Sequence, residues 1–220
     1  MKIKDPGSAT THRIAMALSI LGIAPLLFKA AGAADSINLI SLSIYIFAMV
    51  FLYIASTLYH SIDSTEKVNR RLRKMDHMAI FVMIAGSYTP LCLIALHNKT
   101  GYILCGIVWS VAVLGILFKM LWINTPKWIS SVLYICMGCL CVLASTEIAS
   151  ALPKAALIWL IAGGVCYIAG GVIYGFKFTI FNAVHKNFGS HEIFHIFIML
   201  GSVCHFILMY CYLALMSIKG

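Results

Sequence analysis

Residues 37–59, INLISLSIYIFAMVFLYIASTLY, form a stretch of 23 residues without a single charged side chain. An α-helix that crosses the hydrocarbon core of a bilayer needs about 20 predominantly apolar residues. The hydrophobicity of this stretch is continuous and does not alternate between apolar and polar positions, which excludes a strand of a membrane barrel. The stretch therefore predicts a transmembrane helix.

Six further apolar runs accompany it, and the seven predicted spans cover residues 13–34, 37–59, 78–96, 101–123, 128–150, 155–176 and 193–217. Of the 220 residues, 62% are hydrophobic and 10% are charged, whereas a soluble domain carries roughly a quarter charged residues. This composition excludes a soluble enzyme, a disordered chain and a secreted disulfide scaffold. No long linker and no tandem repeat divides the chain. The sequence predicts an all-α, seven-helix membrane bundle formed by one domain, residues 1–220.

The first span has an alternative interpretation as a cleaved signal peptide. Lys2 and Lys4 precede its apolar run, and the small residues 31–33 resemble a cleavage site. However, the apolar run is long, and Lys29 interrupts it just before that site. A retained first helix is therefore the favoured interpretation.

The basic residues predict the orientation, because cytoplasmic loops of membrane proteins carry an excess of lysine and arginine. With seven spans, twelve of the sixteen basic residues fall on the side of the N-terminus. We therefore expect the N-terminus to lie in the cytoplasm and the C-terminus outside. The net charge of +9 is then a topology signal, and basic residues 67–74 contact anionic lipid rather than nucleic acid. The twelve are Lys2, Lys4, Arg13, Lys67, Arg70, Arg71, Arg73, Lys74, Lys119, Lys127, Lys177 and Lys186.

A few ionisable side chains lie at membrane depth, where they are costly and mark functional sites. His60 follows the second predicted span, Asp76 precedes the third, and His191 and His195 lie at the start of the seventh. The predicted topology brings all four to the cytoplasmic end of the bundle. Ser56 lies four residues before His60, one helical turn deeper on the same face.

These residues predict a zinc site. His191 and His195 are four residues apart, so both imidazoles lie on one face of a helix. Together with His60 they provide three nitrogen ligands and leave a fourth position for water, as in catalytic zinc sites. Zn²⁺ lowers the pKa of such a water, Asp76 would act as its general base, and Ser56 would position the water or a substrate carbonyl. The alternative is that the histidines lie at the lipid–water interface without a further role.

Other polar residues are expected to play smaller parts. Glu192 points about 100° away from His191 along the helix, which favours an indirect or structural role. His12 is either a supporting polar contact or a solvated interfacial histidine. His205 lies about 15 Å deeper than His195 and is expected to hydrogen-bond across helices. The eight cysteines fall within predicted spans and are expected to act as small packing residues.

At these motifs the sequence resembles the bacterial haemolysin III family, which belongs with the progestin and adipoQ receptors. The family's S-x-x-x-H stands at Ser56 and His60, and its third-helix signature begins at Asp76 in DHMAIFVMIAGSYTP. Its H-x-x-x-H stands at His191 and His195. Its N-terminal pattern E-x-x-N-x-x-T-H is present with two substitutions, at Asp5, Ser8, Thr11 and His12.

The resemblance implies a zinc site near the cytoplasmic face, held by His60, His191 and His195, with Ser56 and Asp76 near the zinc-bound water. The adipoQ receptors, and the alkaline ceramidases of the wider superfamily, imply hydrolysis of a lipid amide. The bacterial members imply a location in the bacterial inner membrane and a role in membrane-lipid and membrane-energy homeostasis. Membrane lipids are then the expected partners.

Three functions are therefore open at the level of sequence. The leading hypothesis is a zinc-dependent integral-membrane hydrolase of a lipid amide or ester. The second is a non-enzymatic lipid sensor or regulator in which zinc is structural. The third, a pore-forming haemolysin or a transporter, is weakest because the polar residues cluster at one end and nothing charged continues outward beyond His205.

Overall fold

The computed structural model of the protein describes residues 3–176 and 189–218. Within these ranges the chain is helical, without a β-strand, and seven helical segments are long and apolar enough to cross a membrane. The predicted all-α fold with seven spans is confirmed; the basic residues Lys2, Lys177 and Lys186 lie outside the described residues. The helices are α1 (Pro6–Ala30), α2 (Ser36–Ser61), α3 (Glu66–Pro90), α4 (Lys99–Leu121), α5 (Lys127–Gly138), α6 (Ser145–Ala151), α7 (Lys154–Phe176) and α8 (Ser190–Leu208).

The fifth span is an interrupted helix rather than the continuous one predicted from hydropathy. A 3₁₀ segment, Cys139–Ala144, joins α5 to α6. The hydroxyl of Tyr88 donates a hydrogen bond to the carbonyl of Gly138 at 2.6 Å and accepts one from the Cys141 N–H at 2.8 Å. These bonds satisfy backbone groups that the break leaves without intrahelical partners, which a bilayer interior requires.

The third helix extends beyond its apolar span. It begins at Glu66, where the Thr65 side chain accepts a hydrogen bond from the N–H of Val68, whereas the predicted span begins at residue 78. The first turns of α3 carry the basic residues that the sequence analysis placed in a loop. Hydropathy does not detect these turns, because their side chains are charged. Asp76 therefore lies about three turns inside α3 and not at its start.

The helices pack as a closed ring. α2 packs against α1 and α3, α5 against α7, and α8 against α7 and α1, while α4 packs against α3. At the contact of α2 with α3, a Cβ on Gly86 would lie 2.6 Å from the Cβ of Ala48, so this approach requires glycine. The outer face carries large exposed apolar side chains, including Leu21 and Phe28, as expected for contact with lipid.

The ring defines two ends that are compared below. The histidine end comprises residues 5–12, 56–60, 76–77 and 191–195, from four different helices. The distal end comprises residues 31–38, 97–98 and 213–216, where the start of α2 meets the last described residues through hydrogen bonds from Asn38.

Candidate metal centre

Four imidazole rings meet at the histidine end and form what we call the four-histidine cluster: His12, His60, His191 and His195. The ring centroid of His195 lies 4.0 Å from that of His12, 4.3 Å from that of His191 and 5.2 Å from that of His60. The structure thus brings together the three histidines predicted from sequence as ligands. It adds His12, which the sequence left undecided.

Three of these histidines lie close enough to bind a metal ion. One ring nitrogen from each of His12, His60 and His195 lies within 4.8 Å of the other two, and all three residues are buried. His191 stands beside this group, with its ring centroid 5.2 Å from that of His60. Its assignment as a ligand remains a prediction from the motif.

Hydrogen bonds fix the tautomers of two rings. The Nδ1 of His60 lies 3.1 Å from Oδ2 of Asp5, and because a carboxylate only accepts, Nδ1 carries the proton. The Nδ1 of His195 lies 3.2 Å from Oγ1 of Thr11. This hydroxyl also lies within donating distance of the carbonyls of Ser8 at 2.9 Å and Gly7 at 3.3 Å, and accepting from His195 lets its one hydrogen serve one of these carbonyls. Both histidines therefore keep Nε2 as a lone-pair donor.

The remaining nitrogens of the cluster fit a transition-metal ion. Three buried ring nitrogens have no hydrogen-bond partner among the described residues. They are Nδ1 and Nε2 of His12 and Nδ1 of His191. A buried polar atom without a partner is costly, and such atoms often face a ligand or ion. Neutral imidazole suits Zn²⁺ and related metals. The donor set is therefore chemically suited to the ion that the sequence predicts.

Asp76 and Ser56, the predicted catalytic pair, are both buried and line the same cavity as the four histidines. Oδ2 of Asp76 lies 3.5 Å from Nδ1 of His77. The Nε2 of His77 lies 3.4 Å from the hydroxyl of Tyr174. Asp76 thus lies beside His77 on the wall of the cavity that the four histidines also line, while the catalytic roles of Asp76 and Ser56 remain predictions.

The cavity that these residues line has a volume of about 540 Å³ and receives side chains from α1, α2, α3, α5, α7 and α8. This volume lies in the range of small-molecule binding sites. Away from the histidines its wall is mainly apolar, while Arg73 and Lys127 contribute positive charge at the histidine end. The apolar part includes Leu52, Ile80, Met83, Ile84, Ile135, Ile168 and Ile198.

Comparison with known proteins gives the family of the chain. A family model described as haemolysin-III related matches residues 2–206. The chain belongs to the haemolysin III family. Among its relatives, the hemolysin-3 homolog of Bacillus subtilis (strain 168) is 35% identical over 210 residues, which is 94% of each chain. The hemolysin-3 of Bacillus cereus is 32% identical over 203 residues, 92% of this chain and 89% of the relative.

The N-terminal pattern of this haemolysin III protein contains functional contacts that the sequence reasoning did not assign. Asp5 and Thr11 bond to His60 and His195, as described above. The hydroxyl of Ser8 donates to Oε1 of Glu192 at 2.7 Å. A signal was present in the sequence, because polar residues three apart lie on one face of a helix.

The predictions made from sequence for Glu192 and for His205 have different outcomes. The Oε2 of Glu192 accepts a hydrogen bond from the N–H of Gly189 at 2.8 Å and caps α8, in agreement with the expected structural role. The ring of His205 lies near the backbone carbonyl of Leu160 on α7, but neither ring nitrogen makes a hydrogen bond of standard geometry within the described part of the chain. Its ring packs instead beside Tyr167, whose hydroxyl bonds to Ser202 at 3.0 Å.

Proposed function

We propose that this haemolysin III protein is a zinc-dependent membrane hydrolase that cleaves a lipid amide or ester and so serves membrane-lipid and membrane-energy homeostasis. The observation that carries the proposal is the meeting of a four-histidine cluster, a buried carboxylate and a buried serine hydroxyl on the wall of one cavity. Nitrogen donors beside a general base are what metal-assisted hydrolysis requires.

The proposed roles follow from the chemistry of each side chain. The predicted ligands of the zinc ion are His60, His191 and His195, with His12 beside them. Zinc in such a site supplies a Lewis acid and lowers the pKa of water toward neutrality. Asp76 would take a proton from the attacking water and return it to the leaving amine or alcohol. Ser56 would donate a hydrogen bond to the substrate carbonyl. Water and the lipid are consumed, and a fatty acid and an amine or alcohol are released.

The shape of the cavity supports a lipid as the substrate. Its apolar wall begins at the histidines and extends toward Ile198 and His205, deeper along α8. An acyl chain of a membrane lipid would exchange the apolar bilayer for this apolar wall without exposing apolar surface to water. Arg73 and Lys127, at the histidine end, would face the polar headgroup. The scissile carbonyl would then lie between headgroup and chain, beside Asp76.

Hydrolysis is tested with Asp76→Asn and the matched control Asp63→Asn, whose carboxylate is exposed and bonds only to Asn69 among the interactions described. Purified proteins are incubated with an N-acyl amide lipid and with a phospholipid ester, and released fatty acid is quantified by mass spectrometry. We expect Asp76→Asn to lower the rate by about 10²-fold or more, the usual contribution of a general base, with its zinc content unchanged. Equal rates in both variants would refute the hydrolytic role.

The position of His12 supports a second candidate function, a non-enzymatic lipid sensor with structural zinc. Structural zinc sites have four protein ligands and no open position for water. His12 lies within 4.8 Å of two other histidine nitrogens and would fill the fourth position. This function predicts that Asp76→Asn leaves the cellular lipid profile and phenotype intact, whereas His195→Ala abolishes the phenotype.

We further propose that the histidine end faces the cytoplasm across the bacterial inner membrane. The support is the basic residues of this end, including Arg73, which bonds to Asn124 of the α4–α5 turn at 3.3 Å, and Lys74, which bonds to the carbonyl of Met120. An alkaline phosphatase fused to the C-terminus should be active in cells, and one fused to the N-terminus should not. Activity of the N-terminal fusion alone would show that the histidine end faces the opposite side of the membrane.

A further inference from the structure

We propose that the start of α1 forms an N-terminal clip, residues 4–12, in which Asp5 and Thr11 set the affinity of the metal centre by holding two of its imidazoles. This inference rests on the metal site of the proposed function and adds positioning residues to it. It gives a role to the N-terminal pattern, in which Asp5 and Ser8 stand where the pattern of the family has Glu and Asn.

The first half of the clip holds the end of α2. The carboxylate of Asp5 accepts from Nδ1 of His60 at 3.1 Å, and the Asp5 N–H donates to the carbonyl of the same His60 at 3.0 Å. The last carbonyls of a helix have no intrahelical donor, so this second bond also caps α2. Nζ of Lys4 lies 3.8 Å from the ring centroid of Tyr59. Asp5 therefore fixes both the backbone and the ring of His60, while Lys4 packs on the neighbouring Tyr59.

The second half of the clip holds the start of α8. Thr11 accepts from Nδ1 of His195 at 3.2 Å, and Ser8 donates to Glu192 at 2.7 Å. The clip thus joins α2 and α8, which carry His60 and His195, through side chains on a third helix. No contact of this kind is made by the neighbouring Thr10, whose hydroxyl donates to the carbonyl of Pro6 at 2.8 Å.

Metal affinity depends on these bonds through the tautomer of each ring. A metal ligand must present a neutral nitrogen lone pair in the correct direction, and hydrogen bonds to the other ring nitrogen supply both conditions. His60 and His195 are only 3% and 1% exposed, so water does not easily replace a lost clip bond. Without its acceptor, a buried Nδ1–H is costly, and the proton shifts to Nε2, where it blocks metal binding.

The test compares Thr11→Val with Thr10→Val in the purified full-length protein. Both changes remove a threonine hydroxyl from the same turn of α1, but only the first removes a bond to a histidine. Asp5→Asn, which replaces the charged acceptor of the His60 Nδ1–H by a weaker neutral one, is compared in the same way with Asp63→Asn. Zn²⁺ affinity is measured by competition with a chromophoric chelator, and the geometry of the site by the visible spectrum of the Co²⁺-loaded protein. Thr11→Ser keeps the hydroxyl and serves as the rescue.

We expect Thr11→Val and Asp5→Asn to weaken Zn²⁺ binding about 10- to 100-fold and to change the Co²⁺ spectrum. Thr10→Val, Asp63→Asn and Thr11→Ser should remain within about twofold of the wild type, well below the effect expected for a lost partner of a ligating histidine. If Thr11→Val does not fold, Asp5→Asn decides the outcome, since its carboxylate is 44% exposed and the change is nearly isosteric. Wild-type affinity and spectrum in both clip variants would overturn the clip alone. Failure of the wild type to bind either metal would overturn the clip and the proposed zinc function together.

Discussion

Asn38 at the distal end and His12 at the histidine end are both buried polar residues in the first turns of their helices, but their surroundings differ. The side-chain amide of Asn38 donates to the carbonyls of Leu213 at 3.1 Å and Met216 at 3.0 Å. Neither ring nitrogen of His12 has a hydrogen-bond partner in the described ranges 3–176 and 189–218. The amide nitrogen of Asn38 is thus occupied by the fold itself, although its Oδ1 has no described partner, whereas both ring nitrogens of His12 are left available for a ligand.

The same contrast holds between histidines. His97, at the distal end, has a left-handed backbone with φ of 36°, and its Nδ1 donates to the carbonyl of Leu93 at 2.9 Å. The Nδ1 of His191 is buried, and no described residue accepts from it. Buried polar atoms in proteins normally have partners. Unpartnered imidazole nitrogens therefore distinguish the histidine end from the distal end, where the Nδ1 of His97 has a partner.

The comparison between the two ends is tested most strongly by removing single histidines from the four-histidine cluster. The proposed hydrolase predicts that His191→Ala weakens Zn²⁺ binding by about tenfold or more, because removal of a ligand costs at least as much as removal of its hydrogen-bond partner. His12→Ala should have a smaller effect, and an equal loss in both variants would favour the four-ligand structural site of the second candidate function. The measurement is chelator competition, with His97→Ala as the distal control. Wild-type affinity in His12→Ala would support the three ligands predicted from sequence. Wild-type affinity in His191→Ala would show that His12, and not His191, is the third ligand.

Asn38→Leu should destabilise the distal end without altering the metal site. The carbonyls near the end of the chain lose their donor while remaining buried, which costs about 1–3 kcal/mol. We expect a lower apparent melting temperature in detergent and an unchanged zinc content. Asn69→Leu, which removes exposed hydrogen bonds, is the matched control. A loss of zinc in Asn38→Leu would show that the two ends are not independent.

Neighbouring glycines of α7 provide a smaller test of the packing that surrounds the cavity. A Cβ on Gly163 would lie 2.3 Å from Cδ2 of His205, whereas a Cβ on Gly164 would have no described atom within 4 Å. Overpacking of this kind costs about 1–3 kcal/mol, reduced here by any shift of the His205 ring. Gly163→Ala should lower the apparent melting temperature, and Gly164→Ala should leave it unchanged. Equal melting temperatures would show that α7 and α8 separate at little cost.

The cysteines should produce the smallest effect. Cys136, Cys139 and Cys141 are free thiols at the break between α5 and α6, and none belongs to the metal-binding group found among the described residues. The triple substitution by serine should therefore leave the zinc content unchanged, as measured by elemental analysis. Loss of zinc in this variant would show that thiolates, and not imidazoles, hold the metal.

Hydropathy predicted the seven helices and the common end of His60, Asp76 and His195, because both follow from the order of apolar spans along the chain. It placed the start of α3 too late, since its first turns are charged. The clip could not be predicted in the same way. The bond between Asp5 and His60 joins residues 55 positions apart, and the bond between Thr11 and His195 spans 184 positions. Such pairs are decided by which helix closes the ring, and the sequence pattern specifies faces but not neighbours.

The central claim is that the four-histidine cluster holds a metal ion. Its most direct test is elemental analysis of the purified wild-type protein beside His195→Ala and His97→Ala. We predict about one zinc ion per chain in the wild type and in His97→Ala, and less than about 0.3 in His195→Ala, because His195 is central to the donor set. Zinc below that level in the wild type, or the same content in all three proteins, would contradict the claim.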